Sequence, residues 1–342
     1  MTDAAMMETG SGSAEPALLR LDDLVVEFAN RHREPGAPRR FRAVDGVSLE
    51  IRPGEVVGLV GESGSGKTTV GKTLLRLYEP RAGRITFRGT DITHLREAAL
   101  KPHRRDLQMI FQDPLSSLNP RHTVGQALAV PLLLHRICSR AEVSSEVGRI
   151  LASVGLSAAM RERYPHELSG GQLQRVAIGR ALTLSPALIV ADEPVSKLDV
   201  SVRAQILNLF KDVQAQLGLS LLFITHDLHV ARYLCHRIGV MYFGKLVELA
   251  PTETLFSAPR HPYTEALLGT LDDELRKGER AEHDFVVGAD MAGSGASAGC
   301  RYYARCPIRR EACAAAHPPL EALDAECSVA CYERGSLTGR AS

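Results

Sequence analysis

Gly61-Glu62-Ser63-Gly64-Ser65-Gly66-Lys67-Thr68 fits the pattern G-x-x-x-x-G-K-[ST], and its reading decides the fold. The apolar run Val56–Val60 before it reads as a buried strand, and the stretch from Thr68 to about Leu77 reads as a helix. A strand, a glycine-rich turn and a helix in that order form a phosphate cradle. The glycines let successive backbone N–H groups turn inward, and the helix N-terminus adds its partial positive charge. Lys67 reaches the β- and γ-phosphates as a point charge, and the Thr68 hydroxyl is a ligand for Mg²⁺.

Outward from this loop the chain alternates strand and helix patterns. Upstream, residues 18–28 and 44–51 read as strands, separated by an Arg-, Pro- and Gly-rich loop. Downstream, 84–88 reads as a strand, 98–164 as mostly helical, and 172–184 as an amphipathic helix. Strand 187–191, helix 202–217, strand 220–225, helix 228–234 and strands 238–242 and 245–250 follow, then a helix from Pro262 to about Lys277. Such alternation predicts a largely parallel sheet covered on both faces. Leu188-Ile189-Val190-Ala191-Asp192-Glu193 is an apolar strand ending in two carboxylates. Asp-Glu after a strand also suits a helix N-terminus, but beside Lys67 and Thr68 it reads as catalytic. Asp192 is expected to hold the Mg²⁺ shell and Glu193 to orient and deprotonate the attacking water.

Composition sets outer bounds. The 342 residues leave room for one large domain and an appendage. Lys and Arg total 41 against 40 Asp and Glu, a net charge of +1, so the chain as a whole is no electrostatic nucleic-acid binder. No apolar run approaches the roughly 18 residues of a membrane-spanning helix. Residues 1–16 are small and acidic, read as a flexible leader without a secretory signal, so a cytosolic chain is expected. Any membrane link then runs through a partner.

Leu168-Ser169-Gly170-Gly171-Gln172 is a second anion-binding turn opening a helix. One nucleotide does not need two such nests from one chain. Two subunits that face each other, each serving the other's γ-phosphate, explain both. With this motif the sequence resembles the ATP-binding subunits of ABC transporters over about residues 18–275. The resemblance implies a P-loop NTPase α/β core with an inserted helical subdomain at about 98–185 and a small Cys-rich C-terminal extension. It implies a Q-loop glutamine at Gln112, touching Mg²⁺ and the attacking water, and a D-loop at Ser196-Lys197-Leu198-Asp199. It implies a switch histidine at His226, which contacts the γ-phosphate, and an aromatic that stacks on adenine, Phe41 or else Phe28. Glu193, His226, Gln112 and Lys67 are then the catalytic set, residues 61–69, ending at Thr69, grip the phosphates, and Ser169, Gly170, Gly171 and Gln172 serve the opposite nucleotide.

Three stretches resemble one subfamily, the oligopeptide/dipeptide importer ATPases of the F type. They are residues 111–120 (FQDPLSSLNP), 193–196 (EPVS) and 261–268 (HPYTEALL). Implied partners are a second, D-type ATPase, two permease subunits and an external solute-binding protein, with the chain on the cytoplasmic face of the membrane. Relatives that carry nickel keep a different cargo open. A soluble ABC-type ATPase acting on nucleic acid or ribosomes is the rival, although the coiled coils or second ATPase domain of such proteins are absent. Two departures stand out: Lys197 replaces a small D-loop residue, and Gln174 stands where Arg is frequent.

On this reading residues 17–260 are the ATPase domain and 261–342 the extension, with a linker at 278–298. Five of the seven cysteines fall from Cys300 onward. Cys300, Cys306, Cys313 and Cys331 resemble the four-cysteine segment of the same subfamily and are expected to hold a [4Fe–4S] cluster or Zn²⁺, with Cys327 a spare thiol.

Overall fold

The computed structural model describes residues 16–30, 39–277 and 299–333. Residues 1–15 of the expected leader and the expected linker 278–298 lie outside them. In chain order the elements begin with β1 (Leu19–Ala29), β2 (Arg40–Ile51), β3 (Val56–Val60), α1 (Lys67–Leu74), β4 (Ala82–Phe87) and β5 (Thr90–Asp91). Then come α2 (Glu97–Asp106), β6 (Leu107–Ile110), α3 (Val124–Leu134), α4 (Val143–Ser153), α5 (Gly170–Leu182) and β7 (Leu188–Asp192). They continue with α6 (Val200–Leu217), β8 (Ser220–Ile224), α7 (Leu228–Leu234), β9 (Arg237–Tyr242), β10 (Lys245–Pro251), α8 (Thr252–Ser257) and α9 (Pro262–Lys277). The last are α10 (Glu311–Ala315), β11 (Glu321–Ala322) and β12 (Ser328–Val329).

The strands form two sheets. One is antiparallel, ordered β2-β1-β4-β5; the other has eight strands ordered β11-β12-β10-β9-β3-β8-β7-β6. In the second, β9, β3, β8, β7 and β6 pair in parallel, so their C-terminal ends share one edge. Parallel strands need both faces covered, and the two faces of β3 enter different cores. Val56 and Val60 pack with the helical side, while Val57 and Leu59 pack toward the antiparallel sheet with Leu21, Val44 and Ile85. The helices α3, α4 and α5 pack on one another through Leu128, Leu132, Ile150, Leu151 and Val176.

One strand was missed in sequence. Leu107–Ile110 falls inside the range read as helical, yet it is β6 and pairs with β7 from Leu107↔Leu188 to Ile110↔Ala191. A run of only four residues carries too little periodicity to separate strand from helix, and the sheet edge decides it. The terminal segment also does more than append itself. β12 pairs with β10 through Glu248↔Val329 and Leu249↔Ser328, so residues beyond the linker complete the main sheet.

Candidate nucleotide site

The loop between β3 and α1 curls as its glycines require. Gly61 and Gly66 have φ of +146° and +103°, and a Cβ on either would collide with the carbonyl oxygens of Met241 and Ala43 respectively. Ser63 and Gly64 stand exposed at the crest. Lys67 is buried, and its Nζ donates to Gly61 O at 2.7 Å, Glu62 O at 2.8 Å and Ser65 Oγ at 3.3 Å. Burial pulls its pKa down, opposed by the charges of Glu193 and Asp192. Thr69 continues α1, its carbonyl accepting from Thr73 Oγ1 at 2.7 Å.

β7 sits one strand away from β3, across β8, and delivers both carboxylates to the same edge. The Thr68 hydroxyl donates to Asp192 Oδ1 at 2.7 Å. Two hard oxygen donors meeting beside a lysine are a set that suits Mg²⁺. Burial raises the pKa of Asp192, against the Thr68 hydrogen bond and the charges of Lys72 and Lys67. Glu193 accepts from Gln112 Nε2 at 2.9 Å on one oxygen, and His226 Nδ1 lies 3.3 Å from the other. The hydrogen bond with His226 lowers the Glu193 pKa against burial, and the same bond raises that of His226. Glu193 holds φ of +45°, a left-handed conformation uncommon for a residue with a Cβ, while its N–H donates to Ile224 O at 2.9 Å. That strained backbone aims the carboxylate at the loop edge. Gln112 and His226 follow β6 and β8, so three neighbouring strand ends supply the trio.

The second glycine turn lies elsewhere. Ser169 caps α5: its Oγ accepts from Gln172 N at 3.3 Å and its N–H donates to Gln172 Oε1 at 3.0 Å, a reciprocal capping box. A Cβ on Gly171 would stand 2.5 Å from Val202 Cγ1, so this glycine lets α5 pack on α6. None of the described hydrogen bonds of Ser169, Gly170, Gly171 or Gln172 reaches residues 61–69 of the same chain. Lys197 and Asp199 are exposed between β7 and α6. The two aromatics part company: Phe41 is 40% exposed, while Phe28, its cross-strand partner, packs edge-on to Tyr78 at 5.2 Å.

In the terminal segment, burial raises the pKa of Cys300, Cys306 and Cys331, and neighbouring thiols add to it: Cys313 for all three, and Cys306 for Cys300 and Cys331. Each of those three sulfurs also accepts a backbone N–H from two residues on, Tyr302, Ile308 and Glu333. Cys327 instead faces Asp324. Still, among the described residues no group of three or more His, Cys, Asp or Glu side chains is arranged to hold a metal ion. Thiols are soft donors that suit zinc or iron–sulfur.

The ABC transporter family matches residues 44–196, and the C-terminal region of oligopeptide/dipeptide transporters matches 247–313. The oligopeptide transport ATP-binding protein AppF of Bacillus subtilis (strain 168) is 44% identical over 293 residues, 85% of this chain and 89% of that one. The chain belongs to the ABC transporter family. Among solved structures, the dimeric ATP-binding cassette MJ0796 bound to ADP and Pi is 29% identical with a TM-score of 0.62, covering 68% of this chain and 98% of that one. CbiO1 from Clostridium perfringens, with a TM-score of 0.63 at 24% identity over 77% of this chain and 97% of that one, shares the fold.

Two further features of this ABC chain escaped the sequence reading. A cleft of about 330 Å³ opens beside Phe111, next to Gln112, lined by Leu77, Val130, Leu134 and Arg104 among others. Leu134 is 68% exposed there, a signal that helical periodicity alone could have raised. The second is Tyr263, whose hydroxyl accepts the Glu62 N–H at 3.1 Å. Its motif marked a subfamily in sequence, with no hint of contact with the phosphate loop. No described helix is long and apolar enough to cross a membrane.

Proposed function

We propose that this chain is the ATP-hydrolysing subunit of an ABC importer that takes up peptides, working from the cytoplasmic face of the membrane. The observation that carries the reading is the convergence of Lys67, Thr68–Asp192 and Gln112–Glu193–His226 at one sheet edge. The oligopeptide/dipeptide C-terminal match and the likeness to AppF support the cargo class. In this assignment residues 61–69 grip the phosphates and Phe41 stacks on adenine. Thr68, Asp192 and Gln112 are the residues that would hold Mg²⁺, which supplies charge neutralisation on the phosphates.

Glu193 takes the proton of the attacking water. In the structure both its oxygens are engaged, by Gln112 and His226. Those ties open as substrate enters, and the released amide and imidazole turn to the water and the γ-phosphate. Ser169, Gly170, Gly171 and Gln172 are assigned to the nucleotide of a second ATPase, here a D-type subunit. Two permease subunits and an external solute-binding protein complete the assembly. The apolar cleft beside Phe111 is the seat for the permease, close enough to Gln112 for occupancy of the site to be felt there.

The test is uptake of labelled tri- and tetrapeptides by cells lacking the gene. Wild-type chain restores uptake and Glu193→Gln does not. Peptide uptake that survives the deletion, with nickel uptake lost instead, would overturn the peptide assignment. Metal analysis of protein purified without oxygen tests the four thiols of Cys300, Cys306, Cys313 and Cys331. About four irons with sulfide per chain indicates a cluster, one zinc a structural clip, and neither metal in an active sample removes the ligand assignment.

A further inference from the structure

Residues 299–333 reach the phosphate loop by two routes. The first passes through aromatic rings. Tyr302, largely buried, packs against Tyr263 at 5.6 Å between ring centroids and edge-on to Tyr242 at 5.4 Å, while Tyr242 and Tyr263 stand 4.5 Å apart. Tyr263 in turn accepts the Glu62 N–H. It sits at the start of α9, where Glu248 of β10 accepts the N–H groups of Arg260 at 2.8 Å and His261 at 2.9 Å. The tyrosine is therefore carried on backbone pinned to the sheet. Arg305 adds a long ion pair with the Glu62 carboxylate at 4.0 Å.

The second route is polar. Arg301 Nη2 pairs with Asp45 Oδ2 at 3.0 Å. The Asp45 N–H donates to Gly244 O at 2.9 Å, and the Gly244 N–H donates to Ser65 O at 2.8 Å. The segment thus bears on Glu62 at one end of the loop and on Ser65 at the other. It is itself fixed to the sheet by β12 and by the Ala330 N–H donating to Val247 O at 2.8 Å.

We propose that Tyr263 is a positioning residue for the phosphate loop, and that residues 299–333 form the clamp that holds it against Glu62; this rests on the ATPase reading above. The Gly61–Glu62 peptide is held from both sides, its N–H by Tyr263 and its C=O by Lys67. When Lys67 swings to a phosphate, it gives up that carbonyl. The Tyr263 hydroxyl then keeps the peptide, and with it the loop curvature, in register for nucleotide. Preorganisation of this kind lowers the ordering cost of binding, so its loss falls on affinity rather than on the chemical step.

The experiment uses the full chain with Tyr263→Phe, Tyr302→Leu and Lys67→Ala. Equilibrium binding of ATP and ADP and amide hydrogen exchange over residues 61–67 are measured on each, with thermal unfolding as a folding check. Tyr263→Phe keeps the ring and removes one hydrogen bond. It should weaken both nucleotides about 3- to 10-fold, speed exchange at Glu62, and raise KM more than it lowers kcat. Tyr302→Leu should act in the same direction through loosened packing. If it does not fold, Arg301→Gln, which cuts the polar route, carries the same expectation. Wild-type affinity and exchange in Tyr263→Phe, while Lys67→Ala loses binding, would overturn the positioning role. An effect confined to Tyr263→Phe would overturn the clamp. A wild-type chain that binds no ATP would instead overturn the ATPase reading.

Discussion

Glu193 concentrates the chemistry of this chain into one side chain. Its backbone is strained, its carboxylate is ionised below the ordinary range by His226, and its oxygens are taken by Gln112 and His226. A general base contributes about 10²- to 10⁴-fold to a rate. Glu193→Gln should therefore cut ATP turnover by that order while leaving ATP binding intact, as phosphate release against nucleotide titration would reveal. Phe41 and Phe28 make the second residue-scale contrast. Stacking of a base on an aromatic ring is worth about 1–3 kcal/mol. Phe41→Ala should weaken ATP binding by that amount with little change in unfolding. Phe28→Ala should do the reverse, because Phe28 is packed against Tyr78. Equal loss of affinity in both variants would remove Phe41 as the stacking residue. Sequence alone left the two open, since the loop between them is long and the register uncertain.

At the scale of elements, α5 shows one residue serving fold and function together. The Ser169 hydroxyl caps the helix through Gln172 N, and losing such a cap costs about 1 kcal/mol. Ser169→Ala should lower the free energy of unfolding by that much. On the dimer reading it should also slow turnover of the assembled pair without changing ATP affinity of the isolated chain. An isolated chain that loses ATP affinity would mean that this turn serves its own nucleotide. The sequence showed a turn opening a helix but not the cap itself, although Ser and Gln three residues apart are a local signal for one. Nor did it show the strand β6, because its only strong cue is its pairing with β7.

For the molecule as a whole, Asp45 ties three distant segments. It pairs with Arg42 of its own strand at 2.9 Å, Lys245 of β10 at 3.1 Å and Arg301 of the terminal segment at 3.0 Å. Burial would raise its pKa, but hydrogen bonds from Lys245, Arg42 and Arg301 outweigh that and hold it at about 2. A carboxylate depressed on folding gives stability that is complete above its unfolded pKa, near 3.9, and lost as pH falls through the folded value. Asp45→Asn leaves three cations facing one another and should destabilise on the order of 3 kcal/mol near neutral pH. In urea titrations the gap between wild type and variant should hold from about pH 7 to about pH 5, narrow below about pH 4 and close as pH falls through about 2. A gap that is unchanged near pH 3 would remove Asp45 as the source of the effect.

What the sequence determined was local. The glycines of 61–66 admit one kind of turn, Lys67 and Thr68 follow it, and the alternation of apolar runs marks most strands and helices of the core, β6 excepted. What the tertiary structure decided was adjacency. Only the order β9-β3-β8-β7-β6 brings Gln112 and His226 within hydrogen-bonding reach of Glu193, and the return of β12 to β10 accompanies the packing of Tyr302 on Tyr263 and the pairing of Arg301 with Asp45. The reason is physical. Turn geometry and periodicity are properties of a few consecutive residues, whereas strand order is settled by burying apolar faces and pairing backbone groups from segments far apart in the chain.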